Sequence, residues 1–172
     1  MNLSVIIPVF NEVATMDEII SRVRSVRLEE IELKEIIIVD DGSTDGTRDI
    51  LDLYKVEKGI TIFFQASNRG KGVAVRKGFE LATGDIFLVQ DADLEYNPDE
   101  YPKLLAPIVS GNADVVYGSR FIGGEAHRIL FYWHSWGNKI LTTLSNMFTD
   151  LNLSDMECGY KVFRKEILDQ IK

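Results

Sequence analysis

Acidic residues in this sequence fall directly after short apolar runs. Glu12 follows Pro8-Val9-Phe10-Asn11, Asp40-Asp41-Gly42-Ser43 follows an isoleucine-rich run, and Asp91-Ala92-Asp93 follows residues 85–90. Gly118-Ser119-Arg120 adds a guanidinium after another such run. Clustered carboxylates repel one another, so a cation usually sits among them. Asp91 and Asp93, one residue apart, can aim two hard oxygen ligands at one divalent ion. Magnesium and manganese are typically held by one or two carboxylates plus substrate phosphates, so a diphosphate would complete the shell. An Asp-x-Asp is also a common turn after a strand. The Asp40-Asp41 pair is less generic. Ser43 and Thr44 can cap a following helix, but two acids exceed what a cap needs, and they suit ribose hydroxyls or a base edge.

Asn68-Arg69-Gly70-Lys71-Gly72 is a basic loop in an acidic chain, able to hold a phosphate at the start of the next helix. It fails the common phosphate templates. Val75 stands where a dinucleotide fingerprint wants Gly, and Gly72 follows Lys71 where a P-loop wants Ser or Thr. The histidines, His127 and His134, receive no role. Cys158, the single cysteine, has no base beside it and reads as a small buried residue.

Positioning these residues requires a series of strands and helices in alternation. Residues 3–9, 35–39, 60–65, 85–90, 113–118 and 160–163 read as strands, the first stopping near Pro8. Helical spacing covers 15–26, 45–58, 73–82 (with Gly84 as its C-cap) and 133–148. A further helix opens at Asn97-Pro98, shortened or kinked by Pro102 and Pro107, and another starts at Arg164. Residues 121–130 read as a loop. The alternation predicts an α/β fold with a mostly parallel, Rossmann-like sheet flanked by helices. In such sheets ligands bind outside the carboxyl ends of the strands, where the unusual residues sit.

At 172 residues the chain reads as one domain, 1–172. Its net charge of −8 argues against nucleic acid, whose partners need a basic surface. No apolar run approaches the roughly 20 residues of a membrane-spanning helix, and no basic n-region of a signal peptide precedes residues 5–10. The aromatic stretch 129–136 leaves room for peripheral membrane contact. A cytoplasmic location, or the cytoplasmic face of a membrane, fits the lone cysteine.

Together, Val5-Ile6-Ile7-Pro8-Val9-Phe10-Asn11-Glu12, Val39-Asp40-Asp41-Gly42-Ser43, Asn68 to Gly72, Gly84-Asp85, Asp91-Ala92-Asp93-Leu94, Pro98, Gly118-Ser119-Arg120, Asp155 and Gly159-Tyr160-Lys161-Val162-Phe163-Arg164 resemble a family-two glycosyltransferase. Within that family they look like the dolichyl- or polyprenyl-phosphate mannosyl- and glucosyltransferases. The resemblance implies the nucleotide-diphospho-sugar transferase (GT-A) fold. It implies that Pro8, Phe10, Glu12, Val39 and Asp41 line a nucleotide pocket, that Asp91 and Asp93 hold Mn2+ or Mg2+, and that Ala92 contacts the nucleotide sugar through its backbone. Glu95 stands where the group often has Gln, and is a further candidate for the metal shell. Phe10 replaces a frequent Tyr, keeping base stacking without the hydroxyl. Arg120 would face the diphosphate or an acceptor phosphate, a role suited to guanidinium.

The expected reaction moves a sugar from a nucleoside diphosphate sugar to an acceptor, with inversion at the anomeric carbon. A polyprenyl phosphate acceptor needs no general base, because its second pKa lies near ~6. A hydroxyl acceptor would need one, and Asp155 is then the candidate, although it could equally be an N-cap or turn residue. Family members are usually longer, so the chain reads as cut short on its acceptor side. Two rival readings fit parts of the pattern. A sugar-phosphate nucleotidyltransferase would want a Gly-rich, Arg-bearing loop where Pro8 to Glu12 stand. A non-enzymatic acidic receiver or binding module would leave Arg120 and the second Asp pair without a purpose.

Overall fold

A proline near the end of the first strand shapes the site. β1 (Asn2–Val9) is buried from Leu3 onward, as a strand covered on both faces should be. The computed structural model describes residues 1–120 and 132–170, less the side chains of Leu33, Lys34 and His134. β2 (Glu32–Asp40) runs parallel to β1, and β3 (Ile60–Phe64) parallel to β2. β4 (Ile86–Val89) lies parallel on the other side of β1. Beyond it β6 (Lys161–Arg164) runs antiparallel to β4, and β5 (Val115–Tyr117) antiparallel to β6. The order is β3-β2-β1-β4-β6-β5, so every strand but β6 points the same way.

Pro8 does not stop β1; it continues in register with Val39. The Val9 carbonyl accepts from the Asp41 N–H on the β2 side, so by alternation the Pro8 nitrogen faces β4. It has no hydrogen to donate there, and the β1–β4 ladder ends at Ile6 and Val89. The two strands separate beyond that point, and space opens between their ends.

Alternation along the strands builds two cores. Val5, Ile7 and Val9 join the larger one, to which α1 (Met16–Ser25), α2 (Thr47–Tyr54) and α4 (Tyr101–Val109) contribute Met16, Ile19, Leu51, Tyr101 and Ile108. Ile6, Ile37, Val39 and Phe87 face the other way, under Ala74 and Phe79 of α3 (Lys71–Leu81). In α1, Met16, Ile19, Ile20 and Val23 form the buried stripe, each contributing about 1.5–3 kcal/mol on burial. Asp17 and Glu18 in its first turn and Arg22 and Arg24 in its last suit the helix dipole. Pro98 opens a 3-10 turn, Pro98–Glu100, that leads into α4. Pro107 lies inside α4, which ends two residues later at Val109. α5 (Tyr132–Thr149) and α6 (Lys165–Leu168) complete the described elements.

Several boundaries differ from the sequence expectation. α2 spans Thr47–Tyr54, not 45–58, and its N-cap is Gly46 at φ 100° with no side-chain cap. Ser43 Oγ is engaged with the Asn11 N–H, and Thr44 lies two residues before the cap. α3 starts at Lys71 and has Ala82, not Gly84, at its C-cap. The expected loop over 121–130, and His127 within it, lie outside the described residues.

Candidate functional site

From β1 the chain winds outward through β2 and β3, then returns to place β4 on the opposite side. The carboxyl ends of β1 and β4 therefore flank the switch point of the sheet, where ligands of such folds bind. A cleft of about 290 Å³ lies there, near the lower bound for small-molecule sites. Pro8, Val9, Phe10 and Glu12 form one wall, and Asp91, Ala92 and Asp93 the facing wall. Asn68, Gly70, Lys71 and Ala74 close it from the start of α3, with Asp41 at the junction.

Side chains after β2 brace the loop after β1. Asn11 takes a left-handed conformation, φ 57°, and its Oδ1 accepts from the Thr44 N–H at 2.8 Å. Ser43 Oγ accepts from the Asn11 N–H and Thr47 Oγ1 from the Glu12 N–H, each at 2.9 Å. These groups act as struts between two loops, which is why they do not cap α2. The brace leaves the Phe10 ring 44% exposed at the cleft.

The two acids after β2 diverge. Asp40 is fully buried and turns away from the cleft. Its Oδ2 accepts from Arg48 Nε at 2.7 Å, and its carboxylate also takes the Gly42 and Ser43 N–H groups. Asp41 organises the basic loop. Its Oδ1 accepts from Gln65 Nε2 and the Arg69 N–H, both at 2.8 Å, and its Oδ2 from the Gly70 N–H at 2.7 Å. Gly42 between strand and turn cannot be replaced: its φ is +82°, and a Cβ would fall 2.6 Å from the Asn68 nitrogen. The Arg69 and Gly70 amides of the loop are thus taken by Asp41.

Behind Asp91 lies a network the sequence reading missed. Gln90 is buried; its Oε1 accepts from Tyr101 Oη at 2.8 Å and Tyr160 Oη at 3.0 Å. Its Nε2 donates to the Asp91 carbonyl at 2.9 Å, fixing the turn. Tyr96 Oη accepts from the Gly159 N–H at 2.9 Å, which draws the entry of β6 against Asp91. A Cβ at Gly159 would fall 2.2 Å from Asp91 Oδ2, so only glycine permits this approach. A polar residue ending a buried strand, followed by tyrosines, was the available signal.

Lys71 Nζ lies 2.5 Å from Asp91 Oδ1. Asp93 is exposed, and its Oδ1 accepts from the Glu95 N–H at 3.0 Å. Among the described residues no three His, Cys, Asp or Glu side chains converge closely enough to hold a metal. Two carboxylates on one wall can do so only with oxygens from a ligand.

Val39, Arg120 and Asp155 are not among the residues lining the cleft. Val39 is fully buried beside Ile37 and Ala74, because strand alternation directs its side chain under α3. Arg120, a quarter exposed, pairs with the buried Asp155. Arg120 donates from Nε to Oδ2 at 2.8 Å and from Nη2 to Oδ1 at 2.9 Å, and its backbone N–H reaches Oδ2 at 3.2 Å. Asn138 Nδ2 adds a bond to Oδ1 at 2.7 Å. Burial pushes the Asp155 carboxyl up, but the bonds from Arg120 and Asn138 outweigh it and hold the group below its ordinary value. Cys158 is free and buried, and burial pushes its thiol up.

The family model for glycosyl transferase family 2 matches residues 4–172. The chain belongs to that family. This membership removes the nucleotidyltransferase and receiver readings. Among curated relatives, an undecaprenyl-phosphate 4-deoxy-4-formamido-L-arabinose transferase of Pseudomonas aeruginosa is 31% identical over 169 residues, 97% of this chain and 48% of the relative. A dolichol-phosphate mannosyltransferase of Pyrococcus furiosus is 31% identical over all of this chain and 49% of its own length. This family 2 chain thus spans about half the length of the curated relatives it matches. The fold agrees with a mannosyltransferase from Pyrobaculum calidifontis solved with GDP-Man and Mn2+, at TM-score 0.69 and 19% identity, over 98% of this chain and 46% of that one. It also agrees with glucosyl-3-phosphoglycerate synthase of Mycobacterium tuberculosis solved with Mn2+ and UDP, at TM-score 0.70 and 22% identity, covering 97% and 57%. The sheet is that of GT-A nucleotide-sugar transferases.

Proposed function

We propose that this chain binds a nucleoside diphosphate sugar in the β1–β4 cleft and transfers the sugar, with inversion, to a polyprenyl phosphate. The observation that carries the reading is the pairing across the switch point of the Phe10–Glu12 wall with the Asp91-Ala92-Asp93 wall. Phe10 offers an exposed face for a base. Asp41 accepts three donors of its own chain; an ionised carboxylate has about four lone-pair sites, so one remains for a nucleotide N–H. Asp91 and Asp93 suit Mn2+ or Mg2+, since a cationic ammonium already stands on Asp91 and both residues supply hard oxygen. Glu95 is a further candidate ligand beside them. When bound, such an ion stabilises the charge developing on a departing diphosphate. Ala92 is buried in the wall between the two acids, so its contribution is backbone.

The acceptor class rests on the relatives' names and on Asp155. A phosphate oxygen is nucleophilic without a base, and the Asp155 carboxylate is already taken up by Arg120 and Asn138. Asp155 fixes the plane of Arg120, whose positive charge suits the phosphate of donor or acceptor. The test is turnover by the full-length protein with a panel of nucleotide sugars and a short-chain polyprenyl phosphate, read by mass spectrometry and anomeric NMR. A sugar-phosphate-lipid of inverted configuration is expected. Nucleotide sugar bound but passed only to hydroxyl acceptors would overturn the acceptor class.

Peripheral contact with a membrane, at its cytoplasmic face, belongs to the same reading. No helix among the described residues is long and apolar enough to cross a membrane. α5 nevertheless exposes Trp133, Trp136, Ile140, Leu144 and Met147, spaced at three and four residues and so on one face. Such a face lies in the lipid interface readily. Replacing Trp133, Trp136 and Ile140 by Ser is expected to cut sedimentation with anionic vesicles at least fivefold; unchanged sedimentation would assign that face to another partner.

A further inference from the structure

Asp91 presents its two oxygens differently. Oδ2 lies against the backbone at Gly159, where a Cβ would stand only 2.2 Å away. Oδ1 faces the cleft, and Lys71 Nζ sits on it at 2.5 Å. The Asp91 side chain is 15% exposed and that of Lys71 56% exposed, so the lysine reaches in from solvent. Lys71 is the first residue of α3, at the end of the loop that Asp41 anchors. A second ammonium nearby, Lys161, donates to the Cys158 carbonyl at 2.5 Å and lies over the Tyr117 ring, and its side chain is part-buried. Of the two, Lys71 has the room to move.

We infer that Lys71 is an internal counter-ion which excludes a divalent cation from Asp91 until a diphosphate draws it away. The inference rests on Asp91 and Asp93 being the cation ligands. An ammonium and a metal ion compete for Oδ1, because both need contact distance and repel each other as like charges. Without nucleotide, Lys71 neutralises Asp91 and metal binding has to break that pair. A nucleoside diphosphate entering the cleft gives the ammonium phosphate oxygens to bind, and its four-carbon stem permits the swing. Oδ1 is then released to a metal that the same diphosphate also ligates. Metal and nucleotide therefore bind with positive, reciprocal coupling, and Lys71 is a positioning residue for the metal.

Mn2+ binding to the full-length protein, read from the free-ion electron paramagnetic signal, tests this with and without GDP or UDP. Lys71→Met is expected to bind Mn2+ at least tenfold tighter than the native protein when nucleotide is absent. Its gain in Mn2+ affinity on adding nucleotide should shrink by the same factor. Lys71→Arg keeps the charge and should keep the native coupling. Native-like or weaker Mn2+ binding by Lys71→Met without nucleotide, while nucleotide-dependent binding persists, overturns the counter-ion role alone. Failure of every form to bind Mn2+ with either nucleotide overturns the metal assignment, and the counter-ion role with it.

Discussion

Asp93→Asn is expected to abolish the metal-dependent part of nucleotide binding, lowering Mn2+ affinity in the presence of GDP or UDP by about 100-fold or more. Loss of a group that merely supports a ligand typically costs about 10–100-fold in metal affinity, and a direct ligand should exceed that. Asp93 is exposed, and its side chain accepts from the Glu95 N–H, a bond that asparagine can keep. The fold should therefore be untouched, with unfolding unchanged within about 0.5 kcal/mol, the usual range for surface substitutions. Asp91→Asn is a less clean probe, because it also removes the partner of Lys71. Calorimetry with and without chelator separates the effects. Equal nucleotide affinity in metal and in chelator, for the native protein, would falsify the metal assignment.

The sheet was legible because β1, β2 and β3 carry β-branched runs ended by polar residues, and α1 a 3.6-residue stripe. In sequence Pro8 reads as a stop, yet its meaning depends on which neighbour its nitrogen faces, and sequence does not carry that. The cleft walls were legible as residue types at strand ends. What could not be read was which acids keep free oxygens. Asp40 and Asp41 are adjacent and chemically identical, but strand alternation buries one against Arg48 and aims the other at the basic loop. Gln90, Tyr96, Tyr101 and Tyr160 escaped notice because their hydrogen bonds join residues up to 70 positions apart. Val39 shows the same limit: alternation turns its side chain into the core, which motif position alone does not carry.

Asp155→Ala is expected to destabilise the protein by about 3 kcal/mol. Asp155 is buried and accepts from the Arg120 backbone, from Nε and Nη2 of the same arginine, and from Asn138. Removing one member of a buried ion pair costs about 3–5 kcal/mol, since the other charge is left uncompensated. The Arg120 side chain is a quarter exposed, so water recovers part of that loss and the lower end applies. Asp155→Asn keeps shape and one acceptor, and should cost less. The pH dependence follows from the sign of the shift. The folded carboxyl titrates below its ordinary value, near ~3.9 in the unfolded chain. Its contribution to stability is therefore complete above that value and fades as pH falls through the folded one. Urea unfolding between pH 7 and pH 2 should show a steeper acid loss in the native protein than in Asp155→Asn. The same variant separates positioning from proton abstraction. With a phosphate acceptor, Asp155→Asn should retain an acid limb of activity near ~6, the second ionisation of a phosphate, and lose turnover only through a looser Arg120. An acid limb well below ~6 in the native protein that disappears in a folded Asp155→Asn protein would instead make Asp155 the base.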